Sequence, residues 1–476
     1  MSIKKFIAEK DTTITDAYKE NLVSRGTNAN MGAADSLEVF SIYAQASTSS
    51  LEKSRILVQF PINDISASRA AGKIPSSGSV DFFLRLYNVV HPFSVPRDFS
   101  MTINPLSKSW NEGYGLDMEG YTDNGFISGT GGFGVTWVSP TSGVYWDSQG
   151  GDYYTGSGND LTASFKSGLE NIELDITSLT ERWLSGTIPN YGLLIKLSSS
   201  YENGSTLGSF YTKKFSARGS QYFFSRPCIE ARWNPSVTDD RNNFYASSNL
   251  LSAADNTMNL YFYNKVGGAL KNISGNPTPT VAFYADSNLS SSISASYVSV
   301  SNPLPGIYRA QVILNTTASV VYDKWVNTLT SSTKYFSGSF DVYQRENDTV
   351  SNLPEYVINI TNMKSAYNQN EQARFNIFVR ERDWQPTIYT VAYNNVENTS
   401  IPNLYYKIFR FNDNYTVVDY STGSLAYTKT SYDSNGNYFE LDMNILEKDY
   451  GYGIKLATWD GIELKEYKDV YKFRIN

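Results

Sequence analysis

Histidine and cysteine are almost absent from this sequence of 476 residues, where His91 and Cys228 are the single residues of their types. A zinc site of the cysteine–histidine kind needs about four ligands, and a disulfide within the chain needs two cysteines, so both are excluded. A mechanism that relies on histidine would have to use His91. Glycine motifs that cradle phosphates or dinucleotides are missing, and no acidic pair stands in a distinctive spacing. We expect no enzymatic activity and no catalytic residues.

Charge and long apolar runs are also scarce. Charged residues make up 18% of the chain, the formal net charge is -7 and the pI is about 5.1. Nucleic acid is excluded as a partner, because phosphate neutralisation needs clustered Lys and Arg. Glu9, Lys10 and Asp11 end the first apolar stretch before it reaches the length of a secretory signal, and no stretch approaches the roughly 20 apolar residues of a membrane span. We therefore expect synthesis in a cytoplasm, without an export signal and without a membrane partner.

Aromatic residues are abundant and follow the period of β-strands. The chain contains 36 Tyr and 25 Phe, which favour strands over helices. Apolar residues alternate with period 2, as expected for strands with one buried face. The alternating sets are Ile56, Val58 and Phe60; Phe82, Leu84 and Leu86; Ile172, Leu174 and Ile176; Phe375, Ile377 and Val379; Phe439, Leu441 and Met443; and Tyr471, Phe473 and Ile475. Turn residues separate these runs, so the sequence predicts an all-β chain of sandwiches or barrels.

One short helix is predicted over Ser178–Ser185. Ser178 with Glu181 three residues later has the form of a capping box, and Gly186 is placed to end the helix. Leu179 and Trp183 share one face and are expected to be buried.

Two polar segments, at 234–243 and 346–354, interrupt the strand pattern and predict domains of residues 1–235, 236–350 and 351–476. In each of the last two, a tyrosine follows a glycine turn and opens an alternating strand: Tyr308 after Gly306, and Tyr452 after Gly451. This pattern is that of the tyrosine corner of immunoglobulin-type (Ig-like) sandwiches, whose hydroxyl bonds to backbone near the preceding turn. The sequence therefore predicts two tandem Ig-like domains.

Residues 8–233 carry an ordered series of motifs. In chain order they are Asp11–Ile14, Asn28–Gly32, Ser36–Val39, Ser54–Phe60, Leu84–Tyr87, Ser109–Gly113, Leu174–Thr177, Trp183–Gly186, Asn190–Ile195, Phe215–Arg218 and Arg226–Glu230. The series resembles the DNRLRE-type domain, a disaggregatase-like module often classed with carbohydrate-binding modules. The resemblance implies an N-terminal jelly-roll β-sandwich, and its motifs are mostly structural.

The stretch from Gly113 to Gly158 departs from the compact form of that family. It is rich in Gly and aromatic residues and poor in Lys and Arg. Such loops resemble glycan-contacting surfaces, where rings supply rigid contact area; the alternative is that the rings pack under the loop as core. The candidate ligand-binding residues in and beside this loop are Trp110, Glu112, Tyr114, Tyr121, Trp137, Tyr145, Trp146 and Tyr153.

No cofactor and no metal site are expected, with one open alternative. Asp117, Glu119 and Asp123 carry the oxygen ligands that calcium prefers, although a solvated acidic loop explains the same residues.

The whole chain also resembles virion structural proteins of marine T4-like tailed phages, through Val321–Trp325, Ser337–Ser339 and Leu441–Met443. Such proteins are assembled in the host cytoplasm and released by lysis, which agrees with the missing export signal. The resemblance implies a non-enzymatic virion protein on the capsid, neck or baseplate. Its expected partners are other virion proteins, host surface glycans and further copies of the chain. The alternative is a bacterial extracellular polysaccharide-binding module, or an accessory subunit of a polysaccharide-degrading enzyme.

Overall fold

The chain is all-β and divides into two units after residue 232. A computed structural model describes residues 2–45, 50–90, 96–116, 134–203, 210–275, 277–328, 333–345, 355–384, 388 and 398–476, without the side chains of 43–45, 50, 210 and 211. One unit is Ile3–Arg232, and the other is Trp233–Asn476 together with Met1–Ser2. In the described part of the chain, no helix has the length and apolar character to cross a membrane.

The first unit is a β-sandwich with short helices. Its strands are β1 (Ile3–Ile7), β2 (Lys10–Thr15), β3 (Ser36–Gln45), β4 (Ser50–Gln59), β5 (Asp81–Leu86), β6 (Phe99–Pro105), β7 (Leu161–Phe165), β8 (Ile172–Asp175), β9 (Leu193–Leu197), β10 (Phe210–Ser216) and β11 (Cys228–Arg232). Its helices are α1 (Ile62–Ala70), α2 (Thr177–Leu184) and α3 (Ser199–Glu202). Among the described residues, the strands form two antiparallel sheets, in the orders β1-β11-β5-β8 and β10-β3-β4-β9-β6-β7, with β2 paired to β4.

The predicted alternation holds in β5, but β4 is buried on both faces. Phe82, Leu84 and Leu86 are fully buried, as expected. Leu57 of β4 was expected on the outer face, yet it is fully buried beside Trp110. The loop after β6 covers that face of the sheet. The candidate residues of this loop therefore pack against strand β4.

Helix α2 confirms the predicted helix, but the predicted capping box is wrong. The helix begins at Thr177, so Ser178 lies inside its first turn and no side chain caps its start. Instead, Asp175 Oδ1 accepts a hydrogen bond from Thr177 N at 2.8 Å. Leu179 and Trp183 are buried as predicted.

Helix α1 was not predicted, because its one apolar pair, Ile62 and Ile65, gives little helical periodicity. Arg69 of α1 binds both carboxylate oxygens of Glu181 in α2, at 2.9 and 2.6 Å. A long-range ion pair therefore holds this helix in place.

The second unit contains two β-sandwiches in sequence. The strands of the first are β12 (Phe244–Tyr245), β13 (Met258–Tyr263), β14 (Lys265–Val266), β15 (Ala269–Leu270), β16 (Thr280–Tyr284), β17 (Ser292–Ile293), β18 (Tyr297–Leu304), β19 (Ile307–Ile313), β20 (Val320–Val326) and β21 (Lys334–Tyr343). Those of the second are β22 (Tyr356–Ile360), β23 (Ala366–Tyr367), β24 (Gln372–Glu381), β25 (Leu404–Arg410), β26 (Thr416–Val418), β27 (Ser431–Asp433), β28 (Gly436–Asp442), β29 (Gly451–Trp459), β30 (Leu464–Glu466) and β31 (Tyr471–Ile475).

Each sandwich of the second unit packs one sheet on another. The middle sandwich packs β12-β21-β20-β16-β17 against β13-β19-β18, and Trp325 of one sheet contacts Phe262 of the other. The last sandwich packs β22-β24-β28-β27 against β23-β31-β29-β25-β26, and the rings of Tyr406 and Phe439 stack across it at 4.1 Å. The aromatic-rich composition is thus used to fill these cores.

Residues 237–242 connect the two sandwiches through an isolated parallel bridge at Thr238 and a short 3-10 helix over Asp240–Asn242. Tyr432 N donates to Val237 O at 2.8 Å, and Asp239 N donates to Tyr432 O at 3.0 Å. Val237 N also donates to Ser431 Oγ at 3.0 Å. The segment therefore pairs in parallel with β27 of the last sandwich.

Side chains of the same segment reach both sandwiches. Asp240 accepts from the Tyr432 hydroxyl at 2.7 Å and from Asn259 N at 2.6 Å. Arg241 forms a two-pronged ion pair with Asp323, at 2.9 and 2.7 Å. Asp323 is fully buried in the middle sandwich, so the connecting segment is fixed at both ends.

The two predicted tyrosine corners differ. Tyr452 is fully buried; its hydroxyl accepts from Glu447 N and donates to Glu447 O, both at 2.9 Å, which confirms a bond to backbone just upstream. Tyr308 is also buried, but its hydroxyl accepts from Ile273 N at 2.9 Å, 35 residues away. The partner predicted for Tyr308 is therefore wrong, since the segment after β15 packs against the turn at Gly306 and supplies the backbone N–H.

We predict that Tyr452→Phe and Tyr308→Phe each lower the free energy of unfolding by about 1–3 kcal/mol, because each leaves a backbone N–H without its partner. Urea denaturation of the full chain measures this. Tyr297→Phe, at a side chain that is 46% exposed, is the control and should change little. Unchanged stability in both variants would contradict the assigned bonds.

Candidate functional site

The two described ends of the aromatic loop meet at one buried side chain, Asn30. Its Nδ2 donates to Glu112 O and to Val135 O, each at 2.8 Å, and its Oδ1 accepts from Gly115 N at 2.9 Å. A Cβ at Gly115 or at Gly134 would overlap Asn30. Glycine at these positions is therefore required by the close approach of the chain to the amide.

Three tryptophans of the candidate set are core residues. Trp110, Trp137 and Trp146 are 2%, 3% and 5% exposed and pack together with Leu57 of β4 and Leu106. Their indole groups are used internally: Trp110 Nε1 donates to Tyr191 O and Trp146 Nε1 donates to Thr136 O. The guanidinium of Arg55 lies 5.1 Å from the Trp137 ring. This corrects the prediction that these rings face a ligand, because protein atoms cover them.

Glu112 holds three chain segments together. Its Oε1 accepts from Asp11 N at 2.8 Å and from Arg218 Nε at 2.7 Å, while Oε2 pairs with Arg218 Nη2. Arg218 N in turn donates to Asp11 Oδ2 at 2.6 Å. The role predicted for Glu112 beside a sugar is therefore replaced by a structural one.

Two tyrosines of the candidate set point to solvent. Tyr114 is 57% exposed and Tyr145 is 73% exposed, with Leu116 and Val144 beside them in sequence, each 44% exposed. Tyr153 is half-buried against the tryptophan core. The exposed part of the loop that the structure describes thus combines these apolar side chains with polar ones, among them Asp147, Ser148 and Gln149.

The remaining candidates lie outside the described residues. They are Tyr121, the carboxylates Asp117, Glu119 and Asp123 considered for calcium, and His91. Within the described ranges, no group of three or more His, Cys, Asp or Glu is placed to hold a metal ion.

An ion-pair network fixes the backbone beneath Tyr145. Lys108 Nζ lies 2.7 Å from Asp147 and 2.8 Å from Asp152. Asp152 also accepts from the backbone N–H of Asp147 and of Ser148, each at 2.9 Å. Despite its partial burial, these donors hold the pKa of Asp152 below its usual value. A rigid base of this kind presents the Tyr145 ring at a lower cost in conformational entropy on binding.

Sequence reasoning missed a cleft in the second unit. It lies between the middle and last sandwiches, and its wall includes Asp239 and Tyr263. Asp239 was noted only as part of a polar boundary, and Tyr263 only as one tyrosine among many. The one signal of this cleft in the sequence was an acidic residue in a segment that otherwise only connects two predicted domains.

No protein-family model and no curated protein matches the chain. Solved structures that match include the titin A168169 segment, at 10% identity over 52% of this chain and 98% of that chain, with a TM-score of 0.15. They also include the chicken CNTN1 FN1–FN3 domains, at 10% identity over 84% of this chain and 96% of that chain, with a TM-score of 0.14.

We predict that Asp11→Asn changes the pH dependence of stability. Burial, with the nearby Glu112, raises the pKa of Asp11 from 3.8 to about 7, against the opposing Arg218 backbone N–H. At pH values between these two pKa values, the Asp11 carboxyl has lost its proton in the unfolded chain but keeps it in the folded chain. The stability of the folded chain therefore falls as the pH rises. The Asn variant should not lose stability in this way. Its free energy of unfolding relative to that of wild type should therefore be higher at pH 8 than at pH 4, by roughly 1–3 kcal/mol.

Denaturation curves at pH 4 and pH 8 measure this difference. Asp341→Asn, at an exposed carboxylate, is the matched control and should follow wild type. Parallel pH profiles for Asp11→Asn and wild type would contradict the raised pKa.

Proposed function

We propose that this chain is a non-enzymatic structural protein of a tailed-bacteriophage particle, exposed on the capsid, neck or baseplate. In this proposal the first unit is a jelly roll, and the second is a pair of Ig-like sandwiches. The resemblance of the sequence to virion proteins supports the assignment. The all-β architecture agrees with it.

The observation that carries the proposal is the fixed connection between the last two sandwiches. Val237 and Asp239 bond to Tyr432 of β27 through backbone hydrogen bonds, and Arg241 pairs with the buried Asp323. Short connections without such contacts leave neighbouring domains free to move. A protein that holds a binding surface at a set position on a particle requires such contacts, and the connection within this second unit makes them.

The exposed rings of Tyr114 and Tyr145 are the surface that we assign to recognition. Exposed apolar area usually marks a binding site, and tyrosine combines a flat ring with a polar hydroxyl. Both features suit stacking on host surface glycans and packing on neighbouring subunits of the particle. The ion pairs of Lys108 beneath Tyr145 keep its loop in place.

Mass spectrometry of density-banded virions tests the assignment to a particle. We expect the chain in the band at a fixed ratio to the major capsid protein, and antibody against it should label intact particles. Its absence from the band, with recovery as a free protein from uninfected bacterial culture, would contradict the proposal. That result would favour the bacterial polysaccharide-binding alternative.

We predict that the double variant Tyr114→Ser and Tyr145→Ser slows adsorption of particles to host cells about thirtyfold, because the loss of each ring removes roughly 1 kcal/mol of contact energy. Particle yield should stay unchanged. The matched control is Tyr222→Ser, outside the loop and 66% exposed. Moderate salt should not abolish wild-type adsorption, since little of this contact is ionic. Adsorption of the double variant at the wild-type rate would show that these rings are not the recognition surface.

A further inference from the structure

The second unit contains a cleft of about 850 Å³ that faces solvent between its two sandwiches. One wall comes from residues 239–241 and strand β13 with the β14–β15 hairpin, and the other comes from β24, β28 and the turn at 433–435. This volume is in the range of small-molecule sites. Because residues 237–242 are bonded to both sandwiches, the cleft is pre-formed rather than assembled by a ligand.

Two polar atoms in the cleft wall lack a hydrogen-bond partner in the part of the chain that the structure describes. Among the described residues, neither Asp239 Oδ1 nor the Tyr263 hydroxyl has a hydrogen-bond partner, although Asp239 is only 3% exposed. The other carboxylate oxygen of Asp239 lies 3.7 Å from Arg241 Nε. An unpaired buried polar group costs about 1–3 kcal/mol, so folded proteins retain few of them. Two in one cleft indicate that a ligand supplies the missing hydrogen bonds.

The charges that line the cleft balance one another. The acidic residues Asp239, Asp433 and Glu440 face the basic residues Arg241, Lys265 and Arg374. Arg241 is already held by Asp323, and Arg374 pairs with Asp433 at 3.0 Å. A multiply charged ligand would therefore find no excess of opposite charge here.

Aromatic side chains line the cleft beside these polar groups, and Phe336, which is 37% exposed, offers the most open ring among them. Tyr261, Tyr263, Phe336 and Tyr438 line the cleft. The Arg374 guanidinium lies 3.5 Å from the centre of the Tyr438 ring, which makes a planar stack at the rim. A sugar ring has an apolar face for such surfaces and several hydroxyls that donate and accept hydrogen bonds.

We propose that this cleft binds a short neutral saccharide. Its hydroxyls donate to Asp239 Oδ1 and hydrogen bond with the Tyr263 hydroxyl, while a sugar face packs on the aromatic wall. This site is separate from the Tyr114 and Tyr145 surface of the first unit. The proposal does not depend on the chain being a virion protein, because it concerns the isolated chain.

The test is saturation-transfer NMR and calorimetry on the purified full chain. The probes are maltotriose, cellotriose and triacetylchitotriose, with spermidine as a cationic probe. We expect wild type to bind at least one of the saccharides and not to bind spermidine. Tyr263→Phe and Asp239→Asn should each weaken saccharide binding by about threefold to tenfold, the value of one hydrogen bond. Tyr297→Phe and Asp341→Asn, outside the lining, are the matched controls and should bind as wild type does.

Stability separates a binding role from a structural one. The Tyr263 hydroxyl lacks a partner among the described residues, so Tyr263→Phe removes an unpaired buried group and should leave the unfolding midpoint at or above that of wild type while it weakens binding. The proposal is overturned by no saccharide binding in wild type, or by binding that both cleft variants leave unchanged. It is also overturned by binding of spermidine alone, or by a Tyr263→Phe variant that loses stability.

Discussion

The buried ion pair between Arg241 and Asp323 is the contact on which the second unit depends. Asp323 has no exposed surface, and it also accepts from Trp325 Nε1 at 2.6 Å. Breaking a buried pair leaves an unpaired charge inside the protein, at a cost of about 3–5 kcal/mol. Arg241 belongs to the segment that bonds to β27. This ion pair and the hydrogen bond from Asn259 N to Asp240 fix the segment on the middle sandwich, while backbone hydrogen bonds fix it on the last. The spacing of the two sandwiches and the shape of the cleft both depend on these contacts.

Asp239 is placed by the same constraint. It stands two residues before Arg241, and its backbone N–H is bonded to Tyr432 O, so its side chain cannot move away from the cleft wall. Burial raises the pKa of Asp239 to about 7, with Asp240 and Asp433 adding to the rise against Arg241. The fold therefore keeps the buried Asp239 carboxyl at a place where a ligand can supply its missing hydrogen bond. Functional sites commonly retain groups that lower stability in this way.

The first unit shows the same dependence on a single polar side chain. Asn30 satisfies backbone groups from both described ends of the aromatic loop, and it is fully buried. With the loop held there, Trp110, Trp137 and Trp146 fill the space above Leu57, while Tyr114 and Tyr145 remain outside. Which rings are packed and which are exposed depends on where the loop is anchored. The amino-acid composition alone does not distinguish the two kinds of ring.

The sequence by itself determined the all-β class, the burial of Phe82, Leu84 and Leu86, and the corner at Tyr452, because each depends on neighbours a few residues away. Period-2 alternation and a nearby turn are local properties. Only the tertiary structure decided that Tyr308 bonds Ile273, that Glu112 binds Arg218, and that Asp239 shares a cleft with Tyr438. Those partners lie from 35 to 199 positions apart, and whether a ring or carboxylate is covered depends on such remote segments. Burial and pairing are properties of the packed chain, which no local pattern encodes.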